Sequence, residues 1–320
     1  RMDVILFVLA LLCACALVLL PGALILAGLG IGGLARWAVA PALSTALVAV
    51  SAVVFDVLGV EWGLASAIIP LVAVPALVWG VGALLSRRSA RLPDRTRRFS
   101  VLILVGLLIG AVLIGVRLAL YLPSVDAVSQ TNDAVFHLNA LRWIAETGSA
   151  SSWSLNGLVD GRGFYPAAWH GLASVVMLVT GAAIPVVTNA VMIVVAVVVW
   201  PLGIVWLSRC ISRSAGVAAI AGALSPLFLA FPFLMVQWGI VYPYLLSVAL
   251  VPSAIGAVIV NPVWREGQSS RPDMRGVMQW AFLAVLGAVA IALAQPSSLL
   301  TWGLISVIWA VSVLSSGLRE

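Results

Sequence analysis

The strongest constraint in this sequence is a series of nine apolar segments, each long enough to cross a lipid bilayer as a helix. About 20 consecutive apolar residues span the hydrocarbon core of a bilayer. Only 9% of the 320 residues are charged, against about 25% in soluble domains, which excludes a cytosolic enzyme and a disordered tail. We therefore predict an all-α polytopic membrane protein. Its predicted spans lie near residues 3–20, 39–56, 62–85, 100–122, 186–208, 215–235, 239–260, 277–294 and 298–316.

This pattern divides the chain into three segments. We predict N-terminal transmembrane helices in residues 1–122, a long loop with juxtamembrane helices in 123–185, and C-terminal transmembrane helices in 186–320. Pro21-Gly22 interrupts the first apolar run, which predicts the end of a helix there. The Gly-rich stretch from there to Trp37 is too short for a further span, and we expect it to lie in the interface or to re-enter. The chain opens with arginine rather than methionine, as a fragment of a longer protein would.

The distribution of arginine predicts the orientation in the plasma membrane. The sequence contains no lysine, and six arginines fall within residues 87–98. Loops rich in arginine stay on the cytoplasmic side and are attracted to anionic headgroups, so this cluster does not indicate nucleic-acid binding. Alternating spans then place residues 123–185 and the turns at 237–242 and 295–296 on the extracytoplasmic side. The other predicted cytoplasmic anchors are Arg36, Arg209, Arg213, Arg265, Arg271, Arg275 and Arg319.

The loop of residues 123–185 is long for a connection and too rich in aromatic residues for a disordered one. Its first half predicts a helix that ends at Gly148 and begins at one of three possible capping residues. Its second half, from Phe164 to Gly181, predicts an interfacial or re-entrant helix packed against the bundle. The three possible caps are Thr131, Asn132 and Asp133.

The first of these helices is predicted to be amphipathic. One face carries an apolar stripe and the other carries polar residues, a pattern typical of a helix that lies along a membrane surface. The predicted stripe consists of Leu138, Leu141 and Ala145, and the polar face of Asn139, Arg142 and Glu146.

Candidate chemistry is concentrated in this loop. Asp133 and His137 are four residues apart, which places both side chains on one face of the helix. Such a pair can take a proton from a hydroxyl group, hold a divalent cation, or bind phosphate through a charged histidine. The alternative is that Asp133 only caps its helix, which contributes roughly 0.3–1 kcal/mol through the helix dipole. His170 either anchors its helix with Trp169 in the headgroup zone or faces His137 across the loop.

Two arginines and two turns complete the candidate site. Arg142 and Arg162 lie outside the cytoplasm against the positive-inside rule, which indicates an anionic partner such as a lipid phosphate, or simple headgroup binding. The turns that contain Gln237, Tyr242 and Gln295 either line a cavity or merely end their helices.

Three runs of residues resemble an uncharacterised actinobacterial family of multi-spanning membrane proteins, which is itself similar to the GT-C glycosyltransferases. The resemblance covers most of the chain, and the Tyr242-Pro243 and Gln295-Pro296 turns fit it. The three runs are Asn132-Asp133-Ala134-Val135-Phe136-His137, Glu146-Thr147-Gly148 and Tyr165-Pro166-Ala167-Ala168-Trp169-His170.

This resemblance implies transfer of a sugar from a polyprenyl-phosphate donor to a cell-envelope glycan or glycolipid. Asp133 matches the acidic residue of the family's outward loop, which implies that it is the catalytic base. The family commonly has two adjacent acids there, whereas Asn132 precedes Asp133, so a divalent metal is left open. The expected contacts to substrate and phosphate are His137, Arg142, Arg162, Tyr165, His170, Gln237, Tyr242 and Gln295.

Two other functions are compatible with the sequence. The first is a flippase or transporter for a glycolipid, which would need polar residues along the membrane interior, where few occur. The second is a non-catalytic scaffold of envelope biosynthesis that keeps the fold without the chemistry. This second alternative stays open because position 133 carries a single acid and not the pair that is common in GT-C enzymes.

Overall fold

The computed structural model describes residues 2–85, 100–239, 241–264 and 274–317, and all regular structure in these ranges is helical. The predicted arginine cluster at 87–98, and Arg265, Arg271 and Arg319, lie outside the described residues. Eleven helices are defined here: α1 Met2–Gly28, α2 Gly33–Val57, α3 Leu64–Leu85, α4 Val101–Tyr121, α5 Asn132–Thr147, α6 Ala168–Thr180, α7 Ile184–Ser212, α8 Ala215–Gln237, α9 Tyr242–Ile259, α10 Met274–Ala294 and α11 Pro296–Gly317.

Nine of these helices in the described chain are long and apolar enough to cross a membrane, and they correspond to the nine predicted spans. The fold class is therefore confirmed as a multi-pass, all-α membrane protein. The most buried spans, α2, α7 and α9, form the centre of the bundle, whereas α11 is the most exposed. The apolar side chains exposed on the outer helices suit contact with lipid, because they would form patches too large for a soluble monomer.

The predicted break at Pro21-Gly22 is wrong, because α1 continues through Pro21 to Gly28. Proline frees a backbone group inside a helix, and a neighbouring helix can satisfy it. Here the Gly22 N–H donates to Ser44 Oγ on α2 at 2.9 Å. Gly22 also lies against the Ala40 carbonyl, where no side chain would fit. The Gly-rich stretch consequently forms the end of α1, a short turn and the start of α2 at Gly33, rather than an interfacial or re-entrant segment.

Close packing also joins α4 to α8. Gly106 and Gly110, one helical turn apart, contact the backbone carbonyls of Ala219 and Gly222. Small residues at this spacing let two membrane helices approach closely. After this contact, α8 changes from an α-helix to 3₁₀ and π-helical turns around Phe228. The sixth predicted span is therefore not a regular α-helix along its whole length.

The loop forms two helices, as predicted. Gly148 ends α5 in the left-handed conformation, and Gly181 ends α6 in the same way. With 13 residues, α6 is shorter than a membrane span, and it packs against α1, α2, α3, α5, α7 and α9. Packing of this helix against the bundle is therefore confirmed.

The buried face of α5 differs from the predicted stripe. Its buried residues include His137, Leu141 and Ile144, whereas Ala145 is exposed. The predicted stripe contained only apolar residues and therefore left out His137, which is buried. The buried face is consequently rotated about the helix axis relative to the predicted one. Asn139, Arg142 and Glu146 are exposed, as predicted.

Several turns meet the loop at one end of the bundle. The Trp62 N–H, between α2 and α3, donates to the Gly148 carbonyl at 2.7 Å, and the Trp62 indole donates to Ser174 Oγ at 3.0 Å. Ser149 Oγ donates to Asp56 Oδ1 at 2.8 Å. The turn between α2 and α3 therefore lies at the same end of the bundle as the loop.

Candidate functional site

A cavity of about 410 Å³ lies where the loop meets the turns before α9 and α11. The first turns of α5 provide one wall, the chain before α6 another, and the starts of α9 and α11 the rest. Its lining residues are Asp133, Phe136, His137, Tyr165, Val241, Pro243, Tyr244, Gln295 and Ser297. Four of the predicted site residues therefore lie together: Asp133, His137, Tyr165 and Gln295.

Asp133 is exposed in the first turn of α5. The residue that caps this helix is Thr131, and it makes no side-chain capping bond. Among the described residues, the Asp133 carboxylate has no hydrogen bond or ion pair, and Gly239 lies alongside its Oδ2. Asp133 is therefore not the capping residue itself, although its place in the first turn suits the helix dipole, as the alternative interpretation expects. Its carboxylate also borders the cavity, where it can accept a proton from a ligand.

His137 and His170 form a direct hydrogen bond. Nδ1 of His137 lies 3.0 Å from Nε2 of His170, so the two histidines face each other across the loop as predicted. His170 is fully buried, and burial together with the neighbouring His137 lowers the pKa of His170 well below 6.5. His170 is therefore neutral at physiological pH and does not line the cavity. The predicted contact of His170 with substrate or phosphate therefore gains no support from the structure.

Aromatic rings surround the histidine pair. The ring of Tyr165 lies 4.8 Å from that of Phe136 and 5.9 Å from that of His170. Burial, and to a lesser extent the charge of Asp133, raise the pKa of Tyr165 to about 12. The Tyr165 hydroxyl consequently keeps its proton at physiological pH and can donate a hydrogen bond to a ligand.

Backbone contacts hold the α10–α11 turn at the cavity. The Ser247 hydroxyl on α9 donates to the Gln295 carbonyl at 3.1 Å, and the Gln295 N–H donates to Ile291 at 2.7 Å. Pro296 then begins α11. The Gln295 side chain is thereby held at the cavity wall by a fixed backbone.

Besides His170, four predicted contacts do not line this cavity: Arg142, Arg162, Tyr242 and Gln237. Arg142 is on the exposed face of α5, where its Nε lies 2.7 Å from Glu146 Oε1. Arg162 is exposed, and neither arginine lines a described cavity. Tyr242 is buried beneath the cavity, whereas its neighbours Pro243 and Tyr244 line it.

Gln237 lies in a second cavity of about 360 Å³ between the end of α4, the chain before α5 and α7. Asn189 on α7 shapes this cavity, because its amide donates to the carbonyls of Val125 and Ala127 at 3.0 and 2.9 Å. Thr131 lines the second cavity and Asp133 the first. The two cavities therefore flank the start of α5.

Sequence analysis missed Tyr244, Ser297 and Phe136 at the first cavity. Tyr244 follows the identified Tyr242-Pro243 pair, and Ser297 follows Gln295-Pro296, so both turns were found, and with them the Gln295 side chain but not Tyr244 or Ser297. The signal that was overlooked is the proline in the first turn of each helix, which marks the helix starts that form this wall.

The donor set does not fit a metal site built from acidic residues. Within the described ranges, no group of three or more His, Cys, Asp or Glu side chains could hold a metal ion. Asp133 and His137 together offer two ligands, one of which is already bonded to His170 through Nδ1. The open prediction of a divalent metal gains no support from this geometry.

Comparison with known proteins identifies the family. Residues 15–320 match a model described as a family of unknown function, DUF6541, and the chain belongs to this family. No curated protein and no solved structure matches the chain.

Proposed function

We propose that this protein is a membrane glycosyltransferase that transfers a sugar from a polyprenyl-phosphate donor to a hydroxyl of a cell-envelope glycan or glycolipid. One observation carries the proposal: the Asp133 carboxylate, which forms no hydrogen bond or ion pair with the described residues, lies at a cavity lined by the loop and the turns before two helices of a membrane bundle. A base at such a site can activate a hydroxyl supplied from the aqueous side, while an adjacent lipid donor stays in the bilayer. The resemblance of the loop to GT-C enzymes supports the same chemistry.

The proposed reaction is a single displacement with inversion. The acceptor oxygen attacks the anomeric carbon, the bond from that carbon to the phosphate oxygen breaks, and polyprenyl phosphate leaves with the bonding electrons. Asp133 takes the proton of the acceptor hydroxyl, since a carboxylate within hydrogen-bond reach acts as a general base.

The charge that develops on the leaving phosphate must be stabilised by donors in the cavity. The exposed Arg142 and Arg162 do not lie there. Tyr165, Tyr244, Ser297 and Gln295 line the cavity instead, and their hydroxyl and amide groups are hydrogen-bond donors. Neutral donors held in a partly buried site therefore replace the arginines in the proposal.

The test is complementation of a strain that lacks this protein, with analysis of the linkages of its envelope glycans. Asp133→Asn retains the shape of the side chain but removes the base, and we expect it to fail to restore the missing linkage. Asp160→Asn is the matched control, because Asp160 is an exposed loop acid in the left-handed conformation, which asparagine tolerates, and it lines neither cavity.

Membrane levels of both variants must equal those of the wild type. Full restoration by Asp133→Asn would contradict the catalytic proposal. In that case the scaffold or the glycolipid flippase would account for the phenotype of the deletion strain.

A further inference from the structure

Arg117 is a charged side chain on the outer surface of a membrane-spanning helix. It belongs to α4, four residues before this helix ends at Tyr121, and it is exposed. Its exposed neighbours Val116 and Leu120 are apolar, as on a surface that contacts lipid chains. An ionised side chain at such a position is costly in a bilayer and is usually paired, which indicates an anionic partner for Arg117.

The guanidinium of Arg117 is held against α8. Its central carbon lies 3.8 Å from the centroid of the buried Phe233 ring, which is a cation–π contact. Phe233 lies four residues before the end of α8 at Gln237, just as Arg117 lies four residues before the end of α4. The contact therefore fixes the guanidinium against the neighbouring helix, instead of leaving it free to extend toward the aqueous phase.

This contact leaves the hydrogen-bond donors of Arg117 available. A guanidinium has five N–H donors, and an aromatic ring attracts its charge without supplying an oxygen acceptor. Among the described residues, none forms a hydrogen bond or an ion pair with Arg117. The planar group of donors fits two oxygens of one phosphate. Because the surrounding surface is apolar and exposed, this phosphate is that of a bilayer lipid rather than a free ion.

The second cavity lies at the ends of the same two helices. Tyr121 and Gln237, one helical turn beyond Arg117 and Phe233, both line it, and its volume is about 360 Å³. All its lining residues are uncharged, so no side chain there would neutralise a charged headgroup. Hydroxyl and amide groups, in contrast, pair well with the hydroxyls of an uncharged sugar. The lining residues with such groups are Tyr121, Ser129, Gln130, Thr131, Asn189 and Gln237.

Gln237 is the best placed of these residues to contact a ligand. Its side chain is partly buried at the cavity, and it forms no hydrogen bond with the described residues. The amide of Asn189, in contrast, already donates to the carbonyls of Val125 and Ala127. Asn189 therefore shapes the cavity, whereas the amide of Gln237 can both donate to and accept from a bound hydroxyl group.

We infer that Arg117 and the second cavity form a binding site for an anionic glycolipid, with the lipid phosphate on Arg117 and the uncharged sugar headgroup in the cavity. The proposed function places the leaving phosphate in the first cavity, so this second lipid is the acceptor, and that assignment rests on the proposed function. Thr131 lines the second cavity and Asp133 the first. A headgroup in the second cavity is therefore close to the proposed base.

Native mass spectrometry of the full chain in detergent measures the binding of single lipids. Phosphatidylinositol is the probe, because it has a phosphate and an uncharged ring of hydroxyl groups, and phosphatidylcholine sets the baseline. We expect Arg117→Gln to weaken binding of phosphatidylinositol by about tenfold or more. Arg142→Gln is the matched control, since Arg142 is also exposed but lines neither cavity, and it should bind like the wild type. Equal binding by Arg117→Gln and the wild type would overturn the inference.

Two further lipids test whether the cavity receives the headgroup. Phosphatidic acid has the phosphate without the ring, and we expect it to bind less tightly than phosphatidylinositol although its charge is at least as large. Gln237→Leu should weaken phosphatidylinositol by about threefold to tenfold and leave phosphatidic acid unchanged. Equal binding of the two lipids to the wild type would exclude the cavity as the headgroup site. Tighter binding of undecaprenyl phosphate than of phosphatidylinositol, dependent on Arg117, would assign the site to the donor and overturn the acceptor assignment.

Complementation of the deletion strain separates this inference from the proposed function. We expect Arg117→Gln to restore much less of the missing glycan linkage than Arg142→Gln restores at matched membrane levels. If Asp133→Asn restored the linkage while Arg117→Gln still failed to bind phosphatidylinositol, the proposed function would fail and the lipid site would stand. If Asp133→Asn abolished transfer but Arg117→Gln restored the linkage fully, the lipid bound at Arg117 would not be the acceptor.

Discussion

The indole of Trp169 on α6 stacks on the phenol ring of Tyr242 at the start of α9, with ring centroids 4.4 Å apart and planes inclined by 9°. Both side chains are buried, and the Tyr242 ring lies 5.4 Å from that of His137. The stack thus joins the loop to a central membrane-spanning helix next to the histidine pair. Tyr242, predicted as a substrate contact, supports the cavity instead of lining it.

Tyr242→Ala removes this stack and leaves a hole in the core between α6 and α9. Truncation of a buried aromatic ring costs roughly 3–5 kcal/mol, so we expect a clear decrease in the thermal unfolding midpoint of the purified protein. Tyr242→Phe keeps the ring and is the control, with a midpoint close to that of the wild type. An unchanged midpoint for the alanine variant would show that the stack does not hold the loop in place.

Ser44→Ala removes the acceptor for the Gly22 N–H at the proline-containing turn of α1. A buried donor left unsatisfied costs about 1–3 kcal/mol, and we expect a loss of stability in that range. Ser312→Ala is the control, since Ser312 is exposed and its hydroxyl donates to the Ile308 carbonyl of its own helix. A loss of the same size in both variants would contradict a special role for Ser44.

The Gly22–Ser44 bond also illustrates what the sequence could and could not predict. The nine spans were predicted because length and apolar composition are sufficient to identify them. The end of α1 was predicted wrongly because the partner that satisfies the backbone next to Pro21 lies 22 residues further along the chain, on another helix. Local patterns contain no information about such a contact.

The candidate site shows the same division. Asp133 and His137 were placed on one face because they belong to one helix, and that face lines the cavity. That His170 faces His137 was one of the two alternatives predicted for His170; the other was an anchor in the headgroup zone. Arg142 was assigned to the substrate from the predicted topology. Its predicted place on the polar face of α5 and its spacing of four residues from Glu146 already indicated the exposed pair that forms instead.

Gly110→Ala tests the contact between α4 and α8. A methyl group at Gly110 would meet the Gly222 carbonyl, and a backbone atom cannot move aside as a flexible side chain can. We expect a loss of about 1–3 kcal/mol, as for other overpacked sites. Gly115→Ala, on the same helix with open space around it, should be neutral or more stable, since alanine favours a helix over glycine by roughly 0.5–1 kcal/mol. Equal midpoints for the two variants would exclude tight packing at Gly110.

His170 should make stability depend on pH. Its pKa is well below 6.5 in the folded protein, whereas in the unfolded chain it is close to 6.5. Below that pH the unfolded state binds a proton that the folded state does not, so stability decreases as the pH falls through 6.5 and is constant above it with respect to this group. A single proton gives a slope of at most about 1.4 kcal/mol per pH unit.

Thermal unfolding of wild type and His170→Gln between about pH 5 and 8 measures this dependence. The titratable groups around His170 are His137 on α5 and Tyr165 before α6, and the high pKa of Tyr165 keeps it neutral throughout. We expect the glutamine variant to lose much of the dependence in this range. An identical dependence in the two proteins would place its origin outside His170.

Gln295→Ala and Arg142→Gln together test where the substrate binds. The Gln295 side chain lines the cavity beside Asp133, and the loss of a hydrogen bond to a charged group costs about 1.5–3 kcal/mol, so we expect transfer activity to fall by about tenfold or more. Arg142 is exposed and paired with Glu146 outside the cavity, and solvent screens such a pair, so the glutamine variant should keep activity close to the wild-type level. The reverse order of effects, measured at matched membrane levels, would move the phosphate site from the cavity to the outer face of α5.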